Sequence, residues 1–147
     1  MQWKSVFFTL LFCCSSSTSS AQDMYERSLG IRGGALSGIT YKQFLAFAGA
    51  IEGIVGYKFL NDRLTTITGL YEHHLFLNYN TNLYGGGGLT LGWNSNTFQV
   101  HAEVIVGLEY LIPRFPMSVS VDYKPAYHVF GNQFLFNEFA LSARYVF

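Results

Sequence analysis

Charged residues and cysteines are scarce in this 147-residue sequence. Only 12% of the residues are charged, with nine acidic and nine basic, whereas a typical soluble domain has about 25%. A balanced, weakly charged chain has no basic patch, so we expect no nucleic-acid partner. No stretch is long and apolar enough to predict a transmembrane helix. By contrast, aromatic residues make up 18% of the chain.

The first 21 residues have the pattern of a secretory signal peptide. Lys4 supplies the positive start, and positions 6–14 form an apolar core that is too short to span a bilayer. Small residues follow up to Ala21, so we expect cleavage before Gln22. The mature chain, 22–147, is then a single domain.

Both cysteines, Cys13 and Cys14, fall within this signal. Cleavage would remove them, which excludes disulfides, thiol catalysis and cysteine-based metal sites in the mature chain. Lipidation of Cys13 or Cys14 is the alternative, but Phe12 is a poor residue for the lipoprotein processing site.

Alternation of apolar and polar residues runs through the mature chain; it is clearest at the end and less regular in the first two predicted strands, where Phe44 falls on the polar face. From Phe139 to Phe147, one face is apolar and aromatic, while the other carries Glu138, Ser142 and Arg144. Alternation with a period of two is typical of β-strands that have one polar face. The same pattern predicts eight strands, at residues 27–35, 38–46, 50–59, 64–74, 81–93, 97–111, 115–125 and 137–147. Leu70 breaks the pattern in the fourth strand, and the connections 73–81 and 126–136 are longer than the others.

The charged residues all follow the polar phase of these strands or lie near the start or in predicted turns. Six acids and five bases share this phase, which is the balance that a small interior needs if its charges are to pair. We therefore predict an interior charge network of Arg32, Lys42, Glu52, Lys58, Glu103, Glu109, Asp122, Lys124, Glu138 and Arg144, with Glu72 on the same phase.

Two eight-stranded architectures fit this pattern. A soluble lipocalin-like barrel would hide the apolar faces inside around an apolar ligand, whereas a transmembrane barrel would turn them outward into lipid. The low charge content favours an all-β, closed, up-and-down transmembrane barrel with a packed polar interior.

Aromatic residues cluster near the ends of the predicted strands, as in the aromatic girdles of membrane barrels. With a periplasmic N-terminus, one group falls at the upper rim: Tyr57, Phe59, Trp93, Phe98, Tyr123 and Phe139. The other falls at the lower rim: Tyr110, Phe115, Tyr145 and Phe147.

The signal, the eight alternating strands and the terminal Tyr145-Val146-Phe147 resemble the small OmpA/OmpX-type outer-membrane barrels of Gram-negative bacteria. The runs 107–110 and 122–125 are similar to those of uncharacterised barrel proteins of this size. The resemblance implies a cell outer-membrane location, contact with outer-membrane lipid, and recognition of the last strand by the barrel-assembly machinery. It is architectural and implies no specific activity.

Candidate chemistry is weak beside these structural signals. Gly85–Gly88 continues as a strand instead of opening a helix, so it is not a phosphate loop. His101, Glu103 and Glu109 share one face and could bind a metal, but an eight-stranded barrel has room for little more than its own side chains. His73-His74 faces opposite ways on a strand, which suits one metal poorly. We predict no metal, no cofactor and no catalytic residue.

An enzymatic alternative centres on His128. Some eight-stranded outer-membrane barrels are lipid A deacylases or acyltransferases that use a His with a Ser and an acid, and the deacylase pattern is similar to His-x-Ser-Asn. Here the run is His128-Val129-Phe130-Gly131, which lacks the serine, and Ser142 and Glu138 lie on the inward phase. We therefore predict a non-enzymatic structural or surface-interaction role without a wide pore.

The connection 126–136 is unusually apolar. Exposed apolar loops often mark contact sites, so it is a candidate site for a surface or periplasmic protein partner that the sequence does not identify. The same segment could instead extend the last two strands or fold over the barrel mouth. The residues that carry this hypothesis are Tyr127, Phe130, Phe134 and Phe136.

Overall fold

The computed structural model describes residues 25–45, 48–59, 63–131, 133–135 and 138–147. The predicted signal peptide, residues 1–21, and Phe136 lie outside these ranges. Within them, no helix is long and apolar enough to cross a membrane.

The described residues form ten strands, whose positions follow the alternation in the sequence. They are β1 (Arg27–Gly34), β2 (Leu36–Phe44), β3 (Gly49–Lys58), β4 (Leu64–Phe76), β5 (Thr81–Trp93), β6 (Phe98–Leu111), β7 (Met117–Tyr123), β8 (Ala126–His128), β9 (Gln133–Leu135) and β10 (Phe139–Val146).

All pairings are antiparallel, and they close the sheet on itself. β1 to β6 pair in chain order, β6 pairs with β7, β7 with β10, and β10 with β1. β8 continues β7 along the same edge of β6, and β9 pairs with β8. β7 and β8 together make up one barrel strand, and β9 and β10 make up the next. The fold is therefore the predicted closed barrel of eight strands.

Two connections differ from the prediction. β4 extends to Phe76, so the long turn predicted from His73 to Thr81 is wrong and only residues 77–80 connect β4 to β5. The connection 126–136 is partly sheet, since β8 and β9 form a hairpin. Pro125 separates β7 from β8 because it has no backbone N–H, yet its carbonyl accepts a hydrogen bond from the Val104 amide at 3.1 Å.

The two faces of the barrel have opposite chemistry. On β4, Glu72 and His74 are buried, whereas Tyr71 and Leu75 are more than half exposed. The same rule holds for most positions around the barrel: most charged and hydroxyl side chains point inward, and most Val, Leu, Ile and aromatic side chains point outward. A soluble ligand-binding barrel would have the reverse arrangement, so the structure overturns that alternative.

An apolar layer crosses the polar interior. It explains the irregularity at Leu70, which points inward and is 2% exposed, and it includes the ring of Tyr84. The ring fits because residue 107 is glycine: a Cβ there would lie 2.6 Å from the ring. The layer consists of Leu36, Ile54, Leu70, Tyr84 and Ile105.

Candidate functional site

The barrel has two distinct ends, which we name by what they carry. At the terminal end the start of β1 meets the end of the last strand, where the Phe147 amide donates a hydrogen bond to the Arg27 carbonyl at 3.0 Å. The loop end is opposite, where β1, β3, β5 and β8 finish. On β3, Ile54 separates the inward charges Glu52 and Lys58, so the apolar layer divides the interior charges into a terminal-side and a loop-side group.

The terminal-side group is a network of ion pairs removed from water. The Lys42 ammonium lies 2.7 Å from Glu72, and the Arg144 guanidinium lies 2.6 Å from Glu52 and 3.6 Å from Glu109. All five side chains are fully buried. Buried charges are tolerated when each has a close partner of opposite sign, so the pairing accounts for these five charges inside the barrel.

Aromatic rings close the network towards the terminal end. The Tyr25 hydroxyl donates a hydrogen bond to Glu109 at 2.6 Å, and its ring packs edge-on against Phe44 at 4.9 Å between centroids. Phe44 contacts the His74 ring at 4.6 Å, and His74 stacks on Tyr84 at 5.1 Å. Sequence reasoning missed Tyr25 because it precedes the first strand and its partner is 84 residues away.

One ion pair lies level with the apolar layer. Both terminal nitrogens of Arg32 donate to the Asp122 carboxylate, one of them at 2.9 Å, and the Tyr84 hydroxyl donates to the same carboxylate at 3.2 Å. A two-pronged Arg–carboxylate contact has a fixed geometry. It joins β1 to β7 across the eighth barrel strand and leaves little free space at mid-barrel.

The loop-side group is smaller and lies nearer to solvent. The Lys124 ammonium is 2.6 Å from Glu103 and 3.4 Å from Glu138, and the Lys58 ammonium is 3.6 Å from Glu138. A cavity of about 10 Å³, lined in part by Lys58, His101, Glu103 and Glu138, has room for about one water molecule. The ten charges predicted to point inward are thus found inside the barrel, divided between two groups and the mid-barrel pair.

The residues suggested by sequence as a metal trio are not brought together. His101 and Glu103 lie in the loop-side group, whereas Glu109 is eight residues from His101 along β6, about 26 Å at the usual strand rise. His101 packs against His128 with ring centroids 4.8 Å apart, and its Nε2 lies 3.2 Å from the Gln99 side-chain oxygen. Within the described ranges, no three His, Cys, Asp or Glu side chains are arranged to hold a metal ion.

The candidate hydrolase residues are also apart. His128 pairs with His101 near the loop end, while Ser142 pairs with Ser120 and with Arg32 at mid-barrel. Glu138 is engaged by the two lysines of the loop-side group. A serine hydrolase needs its nucleophile, base and acid within hydrogen-bonding reach of one another, and this register does not provide that.

Eight of the ten predicted girdle residues are exposed, and Tyr57 and Tyr123 are partly buried. Three ring pairs form among them: Tyr57 with Phe59 at 5.0 Å, Tyr123 with Phe139 at 4.8 Å, and Tyr145 with Phe147 at 6.3 Å. Phe59, Trp93 and Phe98 lie at the loop end, and Tyr110, Phe115, Tyr145 and Phe147 at the terminal end.

The heights of Tyr123 and Phe139 differ from the prediction. Tyr123 pairs with Val106, eight residues along β6 from Phe98, which corresponds to about 20 Å of height for a strand tilted by about 40°. Phe139 pairs directly with Tyr123. Both rings therefore lie near mid-barrel, because closing the barrel staggers neighbouring strands in a way that the sequence does not reveal.

The predicted contact residues lie on the β8–β9 hairpin, apart from Phe136, which is outside the described residues. Tyr127 and Phe134 pair across the hairpin with ring centroids 5.0 Å apart. Phe130 is 78% exposed at the turn, and Phe134 is 63% exposed.

Comparison with known proteins shows likeness in structure and not in sequence. No protein-family model matches the chain, and no curated protein matches it significantly. The N-terminal β-barrel domain of Pseudomonas aeruginosa OprF is similar, with a TM-score of 0.65 and 14% identity, over 82% of this chain and 95% of that one. The Yersinia pestis outer membrane protein Ail, solved in a phospholipid bilayer nanodisc, is similar with a TM-score of 0.52 and 13% identity, over 82% of this chain and 97% of that one.

These likenesses agree with the chemistry of the two faces. A barrel that buries its charges and exposes a continuous apolar belt has its surface matched to lipid and not to water. The chain therefore has the fold of a small outer-membrane β-barrel, with eight antiparallel strands, a filled polar interior and an apolar exterior.

Proposed function

We propose that the protein resides in the cell outer membrane as a small structural or surface-contact barrel, with no wide pore and no enzymatic activity. The observation that carries this proposal is the combination of an apolar exterior with an interior occupied by buried, paired charges and a buried apolar layer. Residues such as Ile31 and Val104, 69% and 60% exposed, would be unfavourable in water.

The filled lumen argues against transport of solutes. The terminal-side network, the Arg32–Asp122 pair and the apolar layer occupy successive levels of the interior. The cavity of the loop-side group holds about one water molecule. We therefore expect the protein to act through its outer surface and its ends.

The last strand supports a role for the barrel-assembly machinery as a partner. Tyr145 and Phe147 both point outward at the terminal end, 56% and 58% exposed. We propose that this aromatic end of β10 is read during insertion into the membrane. Phe147→Ala would then lower the amount of inserted protein, whereas Phe115→Ala, at the same end but outside β10, would leave it close to that of the native chain.

The experiment is membrane fractionation of the expressed protein, with boiled and unboiled samples run side by side on a gel. Recovery in the outer membrane with a heat-dependent shift supports the proposal, because closed barrels stay folded without heating. Conductance in planar bilayers then tests the lumen. Recovery in the soluble fraction would overturn the membrane location, and large, steady conductance would overturn the filled interior.

A further inference from the structure

Two histidines from different strands meet on the inner wall of the barrel, on its loop side. His101 on β6 pairs directly with His128 on β8, and their ring centroids lie 4.8 Å apart. Ala126, two residues before His128, is buried inside the barrel, and so His128 faces the same side of the sheet as the buried His101. The register of β8 against β6 therefore holds the two imidazole rings beside each other.

Each of these rings has one ring nitrogen without a partner. The Nε2 atom of His101 lies 3.2 Å from the side-chain oxygen of Gln99, and because that oxygen only accepts, Nε2 carries the hydrogen. The neutral His101 ring then has a lone pair on Nδ1. The Nδ1 atoms of His101 and His128 are both buried, and neither makes a hydrogen bond to a described residue. Buried polar atoms normally have a partner, so two such nitrogens on adjacent rings indicate a shared ligand.

The spacing of the two rings fits a single transition-metal ion. Zinc–nitrogen bonds of about 2.0–2.1 Å at a near-tetrahedral angle place the centroids of two bound imidazoles about 5 Å apart, close to the 4.8 Å observed. Gln99 supplies the contact that a metal-binding histidine usually makes through its second nitrogen. Imidazole nitrogens suit Zn²⁺, Cu²⁺ and Ni²⁺, whereas Ca²⁺ and Mg²⁺ prefer oxygen ligands.

The surroundings of the pair offer space and compensating charge. His101 lines the water-sized cavity together with Glu103, Glu138 and Lys58, and the two carboxylates would offset the charge of a cation. Lys58 opposes a cation, but its ammonium lies 3.6 Å from Glu138, which is longer than a hydrogen bond, and its side chain is 19% exposed. Lys58 is therefore free to turn towards solvent when an ion enters.

We propose that His101 and His128 bind one divalent transition-metal ion of the Zn²⁺ class, with water molecules at its remaining positions. Because the two ligands belong to β6 and β8, the bound ion fastens the β8–β9 hairpin to the barrel wall. With two protein ligands the binding is reversible, unlike that of closed structural zinc sites with four. The inference does not depend on the proposed membrane location.

The test is a calorimetric titration of the folded protein in detergent with Zn²⁺, after bound metal has been removed with a chelator. We expect one ion per chain, and no measurable binding by His101→Ala or His128→Ala. Gln99→Ala should weaken binding by about tenfold or more, and Lys58→Met should tighten it because a nearby positive charge is removed. The matched control is His73→Ala, at an exposed histidine on β4, which should bind like the native chain.

The heat-dependent shift on a gel shows which variants are folded, and Cu²⁺ provides a second readout. The electron paramagnetic resonance spectrum of Cu²⁺ should show two imidazole nitrogens in the native chain. One nitrogen or none overturns the inference, even if the histidine variants do not fold. It is also wrong if the native chain does not bind Zn²⁺, or if His128→Ala binds as the native chain does. Equal loss of binding in His73→Ala would show adventitious binding to exposed histidine and would likewise overturn it.

Discussion

Removal of the Arg144 guanidinium is the most direct test of the buried ion pairs in the barrel interior. This side chain is fully buried, donates to Ser120 at 2.7 Å and pairs with Glu52 at 2.6 Å. It also lies 3.6 Å from Glu109. In Arg144→Met, Lys42 would be the remaining cation of the terminal-side group, and it would face three buried carboxylates. Breaking a buried pair from one side costs about 3–5 kcal/mol because a charge is left uncompensated, a large part of the roughly 5–15 kcal/mol that stabilises a typical protein.

The measurement is the free energy of unfolding in lipid vesicles, from urea titrations followed by the fluorescence of Trp93. Arg63→Met, at an exposed position at the loop end, is the control and should change stability by less than about 0.5 kcal/mol. Adding Glu52→Gln to Arg144→Met should recover part of the loss, because one of the stranded charges is then removed. The reasoning is refuted if Arg144→Met lowers the free energy of unfolding no more than Arg63→Met does. It is also refuted if the double variant loses the sum of the stabilities lost by Arg144→Met and Glu52→Gln separately.

Three further predictions use the same titration. Gly107→Ala should lower the free energy of unfolding by about 1–3 kcal/mol, because the added Cβ would lie 2.6 Å from the buried Tyr84 ring. Gly53→Ala, where a Cβ would have nothing within 4 Å, is the control and should not destabilise. Equal losses for the two variants would contradict the packing. Val104→Arg should lower the free energy of unfolding by about 2–4 kcal/mol if the outer face of the barrel meets lipid. Tyr79→Arg, at a fully exposed turn residue, is the control and should be tolerated. Tolerance of both substitutions would argue for water outside the barrel. Tyr25→Phe should lower the free energy of unfolding by about 1.5–3 kcal/mol, because the hydrogen bond to the buried Glu109 carboxylate is lost. An unchanged midpoint of the urea titration would show that the hydroxyl does not contribute to stability.

The sequence alone could indicate which side chains face inward and which face outward, because a strand alternates with a period of two whatever its neighbours are. That rule is enough to place Glu52 and Arg144 inside and Val104 outside. It also predicts the closed barrel, since an open sheet would leave backbone groups unpaired in lipid. The strand ends agree with the structure to within a few residues, except where β8 and β9 form in the predicted connection 126–136.

What only the tertiary structure decided is which residues meet. Arg32 and Asp122 are 90 positions apart, and Glu52 and Arg144 are 92 apart. These pairs exist because β10 closes the sheet against β1, and the stagger of the closed barrel selects the partners across the lumen. The sequence marks Leu70 as an irregularity, but its contact with the rest of the apolar layer appears only when the strands surround a common axis.

The heights of the aromatic rings follow the same division. Tyr123 and Tyr127 are four residues apart on one barrel strand, and nothing in their local sequence tells the height of either ring in the barrel. The answer depends on register with β6, where Tyr123 is opposite Val106 and Tyr127 is opposite Ala102. Alternation is a property of each strand by itself, whereas height and pairing are properties of the closed sheet, and so the sequence determined the two faces while the fold decided the contacts.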